Sequence, residues 1–421
     1  MKDFDAKLGT LLEWLSANTA LSLVSGKITV KNTPDSGRGL YATGRIGSLE
    51  EIVNVPHLLL LNFTTALAHV SKFAGFGLSE PHYAKINVPK TLQDQITQIY
   101  KKLTLEGILA LLSFQFLSAY IVLEKRRGTN SFWKPFLDML PELEELSLAP
   151  VVWTVLQSPG HEDLTKYLPR STRKHTERVV KRFETDYSTV NAFLDLTLDK
   201  VEFLWAWMCI NSRCLYMEMP QKKDSSDNFT LAPYVDFLNH LGNDECGIKI
   251  DTHGFHVLTS TAYTPGMELY FSYGPHSNEF LLCEYSFTIP QNRWNYIDVS
   301  DYITPLLRPQ HVAFLEEAGY YADYTINDMG MSFRTEIALA ALQESDPAQS
   351  RKLQAFVDGI SDGTVYQLKS HVLLKHILTK IVGDCEKKLA IDTEDPRMKA
   401  ISVLYSDTKA IAERTIEEIG G

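Results

Sequence analysis

The chain has 421 residues, enough for two or three hydrophobic cores and too long for one small one. Its 41 Lys+Arg against 52 Asp+Glu leave a net charge of −11, which excludes a protein that coats a nucleic-acid backbone and suits one that attracts a basic partner. A hydrophobic content of 44% with 22% charged residues excludes wholesale disorder.

Residues 3–19 place Phe4, Leu8, Leu11, Leu12 and Leu15 at helical spacing, so a short amphipathic helix is expected to open the chain. Acids inside that stretch and the lack of a cleavage pattern argue against a signal peptide. Short β-leaning runs follow at Leu21–Val30, Gly39–Ala42 and Glu51–Val55, broken by Pro34, Asp35, Gly37, Gly44 and Gly47. From Leu58 to Leu204 the pattern is mainly helical, strongest at Leu92–Lys102, Leu105–Arg127 and Arg173–Asp195. Gly107–Leu123 falls short of the roughly 20 apolar residues a membrane span needs and includes Ser113, Gln115 and Ser118, so it reads as a buried core helix. The basic run Arg170–Glu184 carries an apolar stripe of Val179, Val180 and Phe183, which fits a solvated helix face better than a docking surface.

After the apolar stretch Phe203–Met219 comes a polar loop, Gln221–Asn228. Strand-like pieces stand at Ile248–Ile250, Phe255–Thr259 and Glu268–Ser272. Beyond Pro290 the chain turns helical again, at Gln310–Ala318, Phe333–Gln343, Arg351–Phe356, Val365–Val382 and Pro396–Ile419. The five cysteines, Cys209, Cys214, Cys246, Cys283 and Cys385, show no Cys-x-x-Cys pair, so free thiols in a reducing compartment are expected and a zinc site is not.

Three clusters stand out. Gly37-Arg38-Gly39-Leu40-Tyr41-Ala42 matches G-x-G-x-x-A, but Gly44 and Gly47 would break the helix a dinucleotide fingerprint must open, and no acid follows near Leu60. What remains is a glycine-flanked turn whose backbone can approach a ligand closely. Asp236-Phe237-Leu238-Asn239-His240 sets an amide and an imidazole in an apolar stretch, as a satisfied structural pair or as ligand contacts. Gly266–Pro275 is an aromatic strand ending at Tyr273, which by itself reads as a packed tyrosine with a bonded hydroxyl.

The order of these clusters resembles the SET-domain methyltransferases, in the branch of Rubisco large-subunit lysine methyltransferase. Ser36–Ile46 is similar to the first SET motif, and Asn130–Pro141 to a segment of that branch's helical insertion. Phe203–Leu215 is similar to the helix with the cofactor-binding arginine, Ala232–His240 to the Asn-His motif, and Gly266–Phe287 to the closing Tyr motif. The resemblance implies an α+β chain: an N-terminal helix over 1–20, a β-rich SET fold over 21–288 with a helical insertion at about 63–200, and an all-helical C-terminal substrate-binding domain over 289–421. It implies a protein-lysine N-methyltransferase using S-adenosyl-L-methionine, with no metal, in the cytoplasm or nucleus.

On the same resemblance, the backbone at Arg38 and Leu40, together with Arg213, Asn239, His240 and Tyr273, should bind the cofactor. Arg213 pairs with its carboxylate, Asn239 takes its amino-acid end, and the His240 backbone meets its adenine. Tyr273 is the expected catalytic residue. Tyr285 should line the lysine channel, and Asp236 is either a substrate-side residue or a structural hydrogen-bonding one. The expected partner is a protein carrying the target lysine, without direct nucleic-acid binding or a membrane. A non-histone target in the translation machinery is favoured over a histone. A related actin-histidine methyltransferase pattern has Trp before the motif's Asp and Asn two residues after the arginine. Here Val235 and Leu215 stand there, which favours lysine. Retention of Arg213, Asn239, His240 and Tyr273 speaks against a catalytically silent binding module.

Overall fold

The computed structural model describes residues 2–19, 23–33, 37–78, 93–218, 227–242, 246–251 and 253–420. The breakers Pro34 and Asp35, and residues 221–226 of the expected polar loop, lie outside the described residues. The chain divides into two compact units. One comprises 1–147, 154–156 and 178–275; the other comprises 148–153, 157–177 and 276–421.

The first unit opens with the helix Lys2–Asn18, which buries Leu11 and Leu15. Its strands in chain order are β1 (Leu23–Val24), β2 (Ile28–Thr33), β3 (Gly37–Ala42), β4 (Glu51–Pro56), β5 (Leu61–Asn62), β6 (Leu215–Tyr216), β7 (Phe229–Leu231), β8 (Asn239–His240), β9 (Cys246–Asp251), β10 (Gly254–Thr259) and β11 (Glu268–Phe271). Eight of these form one sheet in the order β1-β4-β10-β9-β11-β3-β2, with β8 pairing β11; β5, β7 and β6 form a small second sheet. The β-leaning run expected over Gly39–Ala42 is strand β3, which starts at Gly37 and pairs with β2 from Ile28↔Ala42 to Thr33↔Gly37. At the β9–β10 hairpin, Gly254 has φ +147°, and a Cβ there would lie 2.1 Å from the Val55 carbonyl, so only glycine fits.

Helices between β5 and β6 belong to this unit as far as Ser147 and again from Arg178. The helix expected over Leu105–Arg127 is broken into Leu105–Leu109 and Ser113–Arg127. The restart is fixed by side chains: Leu112 N–H donates to Gln115 Oε1 at 3.2 Å and Ser113 N–H to Asp227 Oδ1 at 2.7 Å. Periodicity could not show this, because the capping partner is 114 residues away. Gln115 also donates to Asp186 Oδ1 at 2.9 Å, and Trp207 Nε1 donates to Asp186 Oδ2 at 2.9 Å, so the polar residues that told against a membrane span are satisfied inside the core. No helix among the described residues is long and apolar enough to cross a membrane.

The second unit is mostly helical. It holds Pro309–Glu317, Phe333–Ala341, Arg351–Val357 and the long helices Thr364–Leu389 and Pro396–Gly420, which pack against each other. The first long helix runs past the expected Val382 because Leu374, Leu378, Ile381 and Cys385 keep a buried face at alternating i+4 and i+3 spacing. A three-stranded ribbon accompanies the helices: β12 (Ile297–Asp298), β13 (Thr325–Asn327) and β14 (Gly330–Met331). Strands of two or three residues are too short to leave a period-2 signature, which is why only helices were expected here.

Candidate active site

Strand β11 organises the site. Glu268 and Leu269 pair antiparallel with Tyr41 and Leu40 of β3, while Tyr270 and Phe271 pair parallel with Asn239 and His240 of β8. This brings the glycine-flanked motif, the Asn-His motif and the closing tyrosine motif onto adjoining strands. Leu40 is fully buried at that junction.

Tyr273 follows the strand end and is held at both ends. Its N–H donates to His240 Nδ1 at 3.0 Å and its hydroxyl to the Leu238 carbonyl at 2.7 Å. The His240 and Tyr273 rings stack with centroids 5.1 Å apart. Burial pushes the Tyr273 hydroxyl up to about 12, against the nearby positive charge of Arg213, so the phenol stays protonated at neutral pH.

Arg213 is delivered by the helix Lys200–Arg213. Asp199 caps its start, accepting from Val201 N–H at 2.9 Å and Glu202 N–H at 3.0 Å, and the arginine falls in the last turn, where the helix dipole favours a cation. Arg213 Nη1 donates to the Asp236 carbonyl at 2.8 Å and contacts Asp236 Oδ2 at 3.2 Å. Asp236 stands in the turn Val235–Phe237, entered through Tyr234 at a φ of 70°, a backbone conformation uncommon for a bulky residue. Its side chain is only 2% exposed. Burial raises the Asp236 carboxyl, and the Arg213 and Arg38 charges oppose that rise. Asp236 thus meets Arg213 through both its carbonyl and its carboxylate.

The Arg38 side chain turns to the helical insertion, donating to the Met139 carbonyl and, at 3.0 Å, to both oxygens of Glu145. Burial lowers Arg38, and the Arg213 charge lowers it further. The insertion segment also holds the arginine-bearing helix, since Trp205 Nε1 donates to the Pro141 carbonyl at 2.7 Å.

Asn239 Nδ2 donates to Glu268 Oε1 at 2.7 Å. Glu268, Tyr41, Met139 and Glu145 had no role in the sequence reading. The available signal was an acid at the head of an aromatic strand. Tyr285 lies in the second unit, at the end of the π-helical turn Leu281–Tyr285, in an aromatic group with His276, Phe280 and Phe287 at 6.0–6.2 Å. The first unit thus gathers Arg38, Leu40, Arg213, Asp236, Asn239, His240 and Tyr273, and Tyr285 belongs to the other unit.

These residues suit a cofactor with an amino-acid end. The buried Nε of Arg213 has no hydrogen-bond partner among the described residues, so the guanidinium keeps a donor for a carboxylate. No group of acids, histidines or cysteines that could hold a metal occurs among the described residues.

Residues 37–274 match the SET domain family, and residues 295–418 match the ribosomal lysine N-methyltransferase 2 C-terminal domain. Ribosomal lysine N-methyltransferase 2 of Saccharomyces cerevisiae is 31% identical over 449 residues, covering 93% of each chain. Ribosomal lysine N-methyltransferase set11 of Schizosaccharomyces pombe is 28% identical over 286 residues, covering 66% of this chain and 71% of the relative. A crystal structure of the SET domain of LSMT bound to lysine and AdoHcy shares the fold, with a TM-score of 0.54, 14% identity, and coverage of 99% of this chain and 91% of that one. With the motifs converging on β11 and the match spanning most of its length, this chain belongs to the SET-domain family, in the group that carries the ribosomal lysine N-methyltransferase 2 C-terminal domain.

Proposed function

We propose that this protein transfers the methyl group of S-adenosyl-L-methionine to a lysine side chain of a ribosomal protein. The observation that carries the reading is the gathering of Arg213, Asn239, His240 and Tyr273 around β11, in a chain similar over 93% of its length to a ribosomal lysine N-methyltransferase.

The cofactor supplies an electrophilic methyl on a sulfonium. Arg213, oriented by Asp236, binds the carboxylate of its amino-acid end, and Asn239 takes the amino group. The backbone of Arg38 and Leu40 lies along it, and the His240 backbone meets the adenine. Tyr273 keeps its proton, so it acts as a fixed dipole that aligns methyl and amine and not as a phenolate base. The incoming lysine must be neutral although its ordinary value is about 10.4, and apolar surroundings favour the neutral amine. Tyr285 is assigned to the substrate lysine on the family resemblance. The work of the site is chiefly positioning.

A cytoplasmic or nuclear location fits a ribosomal target, and the net charge of −11 favours encounter with a basic ribosomal protein. The test is incubation of the protein with isotopically labelled cofactor and ribosomes from cells lacking it, followed by mass spectrometry of the labelled band. Methyl-lysine on a ribosomal protein is expected. Label on histidine, or on no ribosomal protein, overturns the reading.

A further inference from the structure

Glu268 receives three donors: Asn239 Nδ2 at 2.7 Å on Oε1, and the Tyr41 and Tyr270 hydroxyls at 2.8 and 2.9 Å on Oε2. An ionised carboxylate accepts and never donates, so it can hold only the NH2 end of the Asn239 carboxamide. The amide oxygen is left on the other branch, as an acceptor. The strands enforce this arrangement, because β11 sets Glu268 opposite Tyr41 and Tyr270 opposite Asn239. Gly39 makes room for it: a Cβ there would lie 2.4 Å from Glu268 Oε1 and 3.0 Å from Asn239 Nδ2.

We infer that Glu268 is a positioning residue for the cofactor: by holding the NH2 group of Asn239, it presents the amide oxygen to the α-ammonium group of S-adenosylmethionine. The inference rests on the reading above, in which Asn239 meets that amino group. An amide free to turn over would set its own donors against an ammonium that has nothing but donors, and the selectivity for the amino group would fall.

The test is calorimetry on the full chain with two probes, S-adenosylhomocysteine and its analogue lacking the α-amino group. The unmodified protein should prefer the amino compound by roughly tenfold or more, as for a hydrogen bond to a charged group. Glu268→Gln removes the acceptor-only character at constant shape, so the amino compound should lose most of that advantage while the analogue's affinity stays within about twofold. Adding Asn239→Asp to Glu268→Gln should restore the preference, because the new glutamine amide can donate to one carboxylate oxygen and leave the other for the ammonium. Gly39→Ala, which crowds the same carboxylate, should reproduce the selective loss. Equal losses for both probes, or an unchanged preference in Glu268→Gln, overturn the inference and leave the methyltransferase reading intact. Failure of the unmodified protein to bind S-adenosylhomocysteine overturns both.

Discussion

The backbone N–H of Tyr273 donates to His240 Nδ1 at 3.0 Å while the two rings stack 5.1 Å apart. The bond requires Nδ1 to accept, so the imidazole is neutral with its proton on Nε2. Tyr273 is therefore placed through its backbone and its ring face, and its hydroxyl can be removed without dismantling that placement. Tyr273→Phe removes the hydrogen bond to Leu238 and should leave the affinity for S-adenosylhomocysteine within about twofold, yet lower turnover by roughly 10²–10³-fold, the scale of losing one preorganised polar group. Steady-state kinetics with calorimetry check this, and equal turnover would remove the hydroxyl from the mechanism.

Arg213 and Asp236 make a second, separable prediction. Arg213→Ala should weaken cofactor binding by roughly 1.5–3 kcal/mol, the worth of a hydrogen bond to a charged group. Asp236→Asn keeps the carbonyl that accepts from Nη1 and removes only the charge contact at 3.2 Å, so its effect should be smaller. Calorimetry with S-adenosylhomocysteine ranks the two. The reverse order would make Asp236 the principal contact.

Stability of the first unit should depend on a buried ion pair in the helix Ser113–Arg127. Glu124 and Arg127 are both completely buried, 2.8 Å apart, and Glu124 also accepts from Tyr100 at 2.9 Å and Ser131 at 2.6 Å. Burial raises the Glu124 carboxyl, while Arg127 and those two donors restrain it. Arg127→Met strands the carboxylate and should cost about 3–5 kcal/mol in denaturant unfolding, with partial recovery when Glu124→Gln is added. Additive losses would show that the two side chains act independently.

In the second unit, the pH dependence has a definite sign. Burial alone would lower His175, but hydrogen bonds to Glu279 and Glu284 outweigh it and raise the imidazole to about 9. A group raised in the folded state stabilises fully below its ordinary value of 6.5 and loses that contribution as pH climbs through about 9. The difference in melting temperature between the protein and His175→Gln should therefore shrink from pH 6.5 to pH 9.5. A constant gap across that interval would contradict the protonated state.

Most elements were legible because their signals are local. Leu8, Leu11, Leu12 and Leu15 announce the first helix, and the run from Glu268 to Phe271 announces its strand. What escaped depends on partners distant in the chain. The break before Ser113 needs Asp227, the hold on Arg38 needs Met139 and Glu145, and Glu268 acquires its role only when β3 and β8 lie beside it. The Arg38–Leu40 and Asn239–His240 motifs were recognisable by order, whereas the charge relation of Asp236 to Arg213 emerged only with the turn that buries it.

Tyr41 and Glu268 are 227 positions apart yet directly bonded, so their contact closes a very long stretch of chain. Closing such a loop carries a large entropic cost before any contact repays it, and topologies of this kind fold slowly. A nascent polypeptide that ends before β11 would lack the strand that pairs with β3 and β8. In refolding, recovery of affinity for S-adenosylhomocysteine should trail the return of helical circular dichroism, making ligand capture a late checkpoint on completed assembly.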